Sequence, residues 1–198
     1  MIYKDLRIST IEEVADSVLN VFPIVDKVSL KQYLDYVGLG PNKAFLESPY
    51  LHNKKAVEET INGISYLKRN VNINYDTASL NAFSMLVALS EYTGESEIVF
   101  PIPAARCTFP YDYIFTTTGA IFTIINYDNY GEQKIITHNL TSKGSYMSTE
   151  SALEHITVIT ASEGYAVIPI EKQPVNGKVM LARIKRSPRD VERSIQFL

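Results

Sequence analysis

The stretch NKKAVEETINGISYLKRNVNINY, residues 53–75, decides how the first third of this chain is read. Val57, Ile61, Ile64 and Leu67 recur at three- and four-residue intervals, which predicts a helix over about residues 53–69. Gly63 lies inside it at a cost of about 1 kcal/mol against alanine. Basic and amide side chains, Asn53, Lys54, Lys55, Lys68, Arg69 and Asn70, sit at its two ends. Beyond Asn70, Val71 and Ile73 alternate with Asn72 and Asn74, the pattern of a short strand with one polar face.

Upstream, the periodicity is helical. Thr10 and Glu13 fit a capping box ahead of Ile11, Val14, Val18 and Leu19, and Phe22-Pro23 ends that helix. A short extended link over residues 24–28 comes next. Ser29 is then read as the cap of a second helix carrying Leu30, Leu34 and Val37, and Gly38 supplies its left-handed stop. Residues 42–47 fit a short helix that fills the connection to the long one. Helix, link, helix, long helix and alternating strand is the order a winged helix requires.

Downstream of Asp76 the period changes. Leu80, Phe83, Leu86, Val87 and Leu89 form the apolar face of one more helix, which ends before Gly94. Strands are predicted at residues 98–104, 111–117, 120–127, 134–138, 156–161, 165–170 and 179–184, with Asn176-Gly177 as the strongest hairpin signal. Ser187-Pro188 reads as the start of a last helix. The expected fold is α+β: a helical, winged-helix-like unit over residues 1–76, packed on a mixed α/β unit over residues 77–198.

Composition narrows the functional classes. The 198 residues include 45% apolar and 21% charged side chains, with a net charge of -3, which is a globular composition. One cysteine, Cys107, excludes an internal disulfide framework and points to a reducing, cytoplasmic compartment. No run approaches the roughly 18 apolar residues of a membrane span, and no leader is expected at the N-terminus. The three histidines, His52, His138 and His155, lack metal-ligand spacing, and no phosphate-binding glycine loop occurs. No cofactor and no catalytic residue is expected on these grounds.

A polar face next to a helix with basic ends is what a DNA contact needs. Lys43, Lys54, Lys55, Lys68, Arg69, Asn72 and Asn74 are the candidate nucleic-acid-binding residues, with double-stranded DNA the expected partner. Affinity for DNA rests largely on phosphate neutralisation, and residues 1–76 hold nine basic against ten acidic side chains. A second basic feature lies at residues 178–193, where Lys178, Arg183, Lys185, Arg186, Arg189 and Arg193 face only Asp190 and Glu192. That segment either docks on a partner or pairs with acidic groups of the same chain, for instance around Glu91, Glu95 and Glu97.

The pattern also resembles a family of winged-helix proteins carried on mobile elements of Gram-positive bacteria, similar in turn to the replication-relaxation group of accessory factors. Residues 28–34 (VSLKQYL), 64–69 (ISYLKR), 82–86 (AFSML) and 98–102 (IVFPI) carry the resemblance, with 111–114 (YDYI), 156–159 (ITVI) and the strand at 179–186. It implies DNA-associated work without a stated reaction. The expected function is therefore a non-catalytic, DNA-associated regulatory or accessory protein. One alternative is a metal-dependent nuclease-like domain, which requires Asp112 and Glu132 to converge on one ion, with Lys134 stabilising charge or orienting water. The other is a protein–protein interaction module.

Overall fold

The computed structural model describes residues 11–39, 56–93, 104–106, 111–116, 120–128, 154–162 and 178–197. They form a mixed α+β fold with two sheets. The order is α1 (Ile11–Val21), β1 (Ile24–Asp26), α2 (Lys27–Tyr36), β2 (Val57–Ile61), β3 (Ile64–Lys68) and α3 (Thr77–Thr93). Then come β4 (Ala104–Arg106), β5 (Tyr113–Thr116), β6 (Ala120–Asn126), β7 (Glu154–Ser162), β8 (Lys178–Arg186) and β9 (Val191–Phe197). The short helix expected at residues 42–47 and the strands expected at 134–138 and 165–170 lie outside the described residues.

The long helix expected over residues 53–69 is instead a β-hairpin. β2 and β3 pair antiparallel, with Val57 opposite Lys68 and Ile61 opposite Ile64. The two-residue connection is Asn62-Gly63, with φ of 52° and 78°. Positive φ at both central residues is the turn whose twist matches the flanking strands, and Asn-Gly is its preferred dipeptide. Val57, Thr60, Ile61 and Ile64 are β-branched and suit a pleated surface. The glycine that a helix tolerates at a cost is here the residue that closes the hairpin. Gly63→Ala is expected to lower stability by about 1 kcal/mol, because an L-residue is strained at this φ. The added Cβ would meet Pro188 Cγ at an ordinary 3.5 Å, so the loss is conformational. An unchanged thermal or urea midpoint would contradict it.

Residues 71–75 are irregular rather than a strand. β1 joins the hairpin on its other side, giving the antiparallel order β1-β3-β2. The cap of α2 is Asp26, not Ser29: its carboxylate accepts from Ser29 N at 2.6 Å and Ser29 Oγ at 2.9 Å. α2 ends as expected on Gly38 at φ 78°, with Leu39 N donating to Leu34 O and Gly38 N to Asp35 O. These two bonds satisfy carbonyls at the end of the helix.

The second sheet has the order β4-β5-β6-β7-β8-β9. β6, β7 and β8 run parallel, and the outer pairs are antiparallel. The final helix expected from Ser187-Pro188 is a tight turn into β9. Ser187 Oγ accepts from Arg189 N and Asp190 N, and Ser187 N donates to Asp190 O. Serine, proline and aspartate serve a turn as well as a helix start. Past this turn, the apolar and long side chains of Val191, Arg193, Ile195 and Phe197 recur with period two, as a strand requires.

α3 is buried on nearly all sides. Leu80, Ala82, Phe83, Met85 and Val87 are inaccessible, and so are Ser79, Asn81 and Ser84. It lies between α2 and β1 on one side and β6, β7 and β8 on the other. One apolar cluster therefore runs from Val14 and Leu30 through Phe83 to Phe122, Val158 and Ile184. Phe22 sits at its centre, with its ring 5.3 Å from Phe83, 5.0 Å from Tyr113 and 6.0 Å from Phe115.

Candidate nucleic-acid interface

The register of the hairpin decides which basic groups are available. Lys68 stands opposite Val57, and its side chain lies along β3 with 11% exposure. Its Nζ is 2.6 Å from Glu59 Oε2. Lys27 is bound in the same way to Glu58 Oε1 at 2.9 Å. The acidic residues of β2 thus neutralise the lysines beside them, and Lys68 is not a ready phosphate ligand. Arg69, one residue further, has left the strand and is exposed, with its backbone N–H donating to Pro23 O at 2.9 Å.

After Arg69 the chain forms a fixed turn. Asn70 Oδ1 accepts from Asn72 N at 3.0 Å, and Asn70 O accepts from Ile73 N at 3.3 Å. Ile73 packs against the small cluster of Ile24, Tyr66 and Leu80. This anchor leaves Asn72 and Asn74 exposed beyond Arg69, with Val71, 70% exposed, between Arg69 and Asn72. Of the candidate residues, Arg69, Asn72 and Asn74 therefore share one exposed loop, and Lys68 is set apart by its ion pair. Lys43, Lys54 and Lys55 lie outside the described residues. The pairing of Val57 with Lys68 brings the chain entering β2 to the same end of the hairpin as Arg69.

The basic C-terminal segment divides into two sets. Arg183, Lys185 and Arg189 are exposed, and Lys178 is 2.7 Å from Glu154 Oε1. Arg186 and Arg193 instead reach inward across the chain. Arg186 Nε approaches Asp26 Oδ2 at 3.4 Å, and its Nη1 donates to Asn81 Oδ1 at 2.8 Å. Its Nη2 is buried with no acceptor among the described residues. Arg193 donates to Ser84 O and Oγ on α3, and to Ser29 Oγ and Gln32 Oε1 on α2. The inward arginines of this segment are thus received by the start of α2 together with α3. The side chains of Glu91, Glu95 and Glu97 lie outside the described set.

From Asn81 the polar contacts continue into the second sheet. Asn81 Nδ2 donates to Asn126 Oδ1, and Asn126 Nδ2 donates to Thr77 Oγ1. Thr160 Oγ1 also donates to Asn126 Oδ1. Asp112, a metal ligand in the nuclease-like alternative, is 9% exposed and accepts from Asn126 N at 2.6 Å. Glu132 and Lys134 lie outside the described residues, as do Cys107, His52 and His138. Among the described residues no three His, Cys, Asp or Glu side chains gather as a metal site requires. No described helix is long and apolar enough to cross a membrane.

Burial also sets the chemistry of the tyrosines. Desolvation pushes the Tyr113 hydroxyl up to about 12, partly offset by Ser79 and the Arg106 cation. Burial raises Tyr33 as well, and it raises Tyr66 with help from a hydrogen bond to Tyr75. All three favour the neutral phenol in the folded state. Their contribution is fully present below the ordinary value of 10 and is lost as pH rises through the folded values. The urea midpoint should therefore fall between about pH 10 and about pH 12, and Tyr113→Phe should flatten that fall. A midpoint equally steep in pH without Tyr113 would remove it as a cause.

Searches against family models, curated proteins and solved structures found no match to this chain.

Proposed function

We propose that this chain is a non-catalytic, DNA-associated regulatory or accessory protein whose N-terminal part works as a winged helix. The observation that supports the reading is the order helix, strand, helix, hairpin, closed into an antiparallel sheet β1-β3-β2. In a winged helix the strand between the first two helices pairs with the distal strand of the wing, and β1 pairs with β3 in the same way. On this reading the wing is the β2–β3 hairpin, not residues 71–75. Residues 40–55, outside the described set, occupy the chain position of the groove-reading helix. The resemblance to mobile-element proteins supplies the expected setting, and double-stranded DNA is the partner.

Fluorescence anisotropy with duplex DNA across a salt series tests the reading. Removing one direct phosphate interaction should lower the magnitude of the log–log salt slope by about 0.9. Arg69→Ala, and Lys54→Ala with Lys55→Ala, are expected to lower it. Lys68→Ala should leave it unchanged, because that ammonium is held by Glu59. Charge reversal at Arg183 and Arg189 tests the exposed face of the C-terminal segment. A slope that responds there and not at Lys54, Lys55 or Arg69 would overturn the winged-helix interface. Absence of salt-dependent binding would overturn the function.

A further inference from the structure

Val71 is 70% exposed, the most of any large apolar side chain among the described residues. It stands at a corner of the turn closed by Ile73 N donating to Asn70 O, with Asn72 at the other corner. The turn is tied down on both sides. Arg69 N donates to Pro23 O at 2.9 Å, Ile73 packs into the small apolar cluster, and the Tyr75 ring lies 5.5 Å from that of Tyr66. Folding has thus already met the ordering cost of any contact made at the tip.

The charges around the tip are one-sided. Arg69 is exposed, and its guanidinium has no partner among the described residues. No acidic residue occurs between Lys68 and Asp76. The neighbouring carboxylates are engaged. Asp76 caps α3 through Ala78 N and Ser79 N and is 3.0 Å from Arg106 Nη2, while Glu58 and Glu59 hold Lys27 and Lys68. An unopposed cation beside a narrow tip fits an anionic cleft. A protein-docking surface needs a broad apolar patch, and here Val71 is flanked by the amides of Asn70 and Asn72.

The minor groove of B-DNA is such a cleft, about 6 Å wide. On its floor A·T pairs present only acceptors, adenine N3 and thymine O2, and G·C pairs add the guanine N2 amino donor. Arginine has donors and no acceptor, and valine has neither. Against either side chain the guanine amino group would lose its hydrogen bond to water and gain none. We propose that the turn at residues 69–72 enters the minor groove of duplex DNA and selects A·T over G·C pairs through Arg69 and Val71. This rests on the DNA-associated reading above and adds a groove and a base preference to it. Arg69 donates to the acceptors of the floor, and its charge is favoured by the enhanced negative potential of narrow A·T tracts. Val71 lies against the floor where the amino group of a G·C pair would stand.

Fluorescence anisotropy of the full chain at one salt concentration, with three duplexes of equal length, tests it. The duplexes are A·T-rich, G·C-rich, and the G·C-rich sequence with inosine for guanosine. Inosine lacks the N2 amino group and leaves the major-groove edge of guanine unchanged. The A·T and inosine duplexes should bind alike, and the G·C duplex about tenfold more weakly. Val71→Ser supplies an acceptor and should bring the ratio close to one, with an unchanged thermal midpoint. Equal affinity for all three duplexes, an inosine duplex that binds like the G·C one, or a ratio that Val71→Ser leaves intact overturns the proposal. In each of those cases salt-dependent binding persists and the DNA-associated reading stands. Absence of salt-dependent binding to every duplex overturns both.

Discussion

Replacing Asp26 with alanine is expected to destabilise the fold by about 3–5 kcal/mol, the largest effect of any single polar substitution among the described residues. Asp26 is completely buried and holds three contacts at once: Ser29 N, Ser29 Oγ and Arg186 Nε. Its loss removes the cap of α2 and strands the Arg186 guanidinium, 7% exposed, in the interior. The stranded charge is the larger part, because a buried ion without its partner keeps the whole desolvation cost. Asp26→Asn separates the two parts, since an amide still caps but no longer compensates Arg186. The double variant Asp26→Asn with Arg186→Met should recover much of the loss. Equal denaturation midpoints for Asp26→Ala and the wild type would show the pair to be inconsequential.

Phe22→Ala is the apolar counterpart, with an expected cost of about 3–5 kcal/mol. The ring is 1% exposed and touches α3 through Phe83 and β5 through Tyr113 and Phe115. A cavity here cannot collapse easily, because the surrounding groups come from a helix and a sheet that are each fixed elsewhere. Phe22→Leu keeps most of the volume and should cost much less. Urea unfolding of both variants checks the ranking, and a similar cost for each would mean that the site repacks freely.

The elements read correctly from sequence are those whose pattern admits one periodicity. α1 and α3 carry apolar residues at helical spacing only, and β6 and β7 are short runs rich in β-branched residues. Residues 57–68 satisfy both patterns. Val57, Ile61, Ile64 and Leu67 are spaced as on a helix, yet Leu67 faces the main core and Ile61 and Ile64 pack in the smaller cluster. Asn62-Gly63 is the deciding signal, the same dipeptide that is read as a hairpin at residues 176–177, which lie outside the described residues. The candidate site was legible where exposure follows from local structure, as at Arg69, Asn72 and Asn74. It was not legible at Lys68, whose fate depends on standing across a strand pair from the chain that carries Glu59. Nor could the sequence separate Arg186 and Arg193 from Arg183 and Arg189. Position in the last hairpin sends some arginines inward, and the groups that receive them lie 105 to 164 residues away.

That separation has a bearing on how the chain is made. Asp26 and Arg186 are 160 residues apart. At about 5–20 residues per second, translation delivers the arginine roughly 8–30 seconds after the aspartate. Through that interval the start of α2 carries a carboxylate destined for burial without the guanidinium that neutralises it. The N-terminal sheet therefore waits on the last hairpin to be synthesised. A premature stop before β8 is expected to damage the fold around the start of α2, and the nascent chain stays open to chaperones and proteases until β8 has been made.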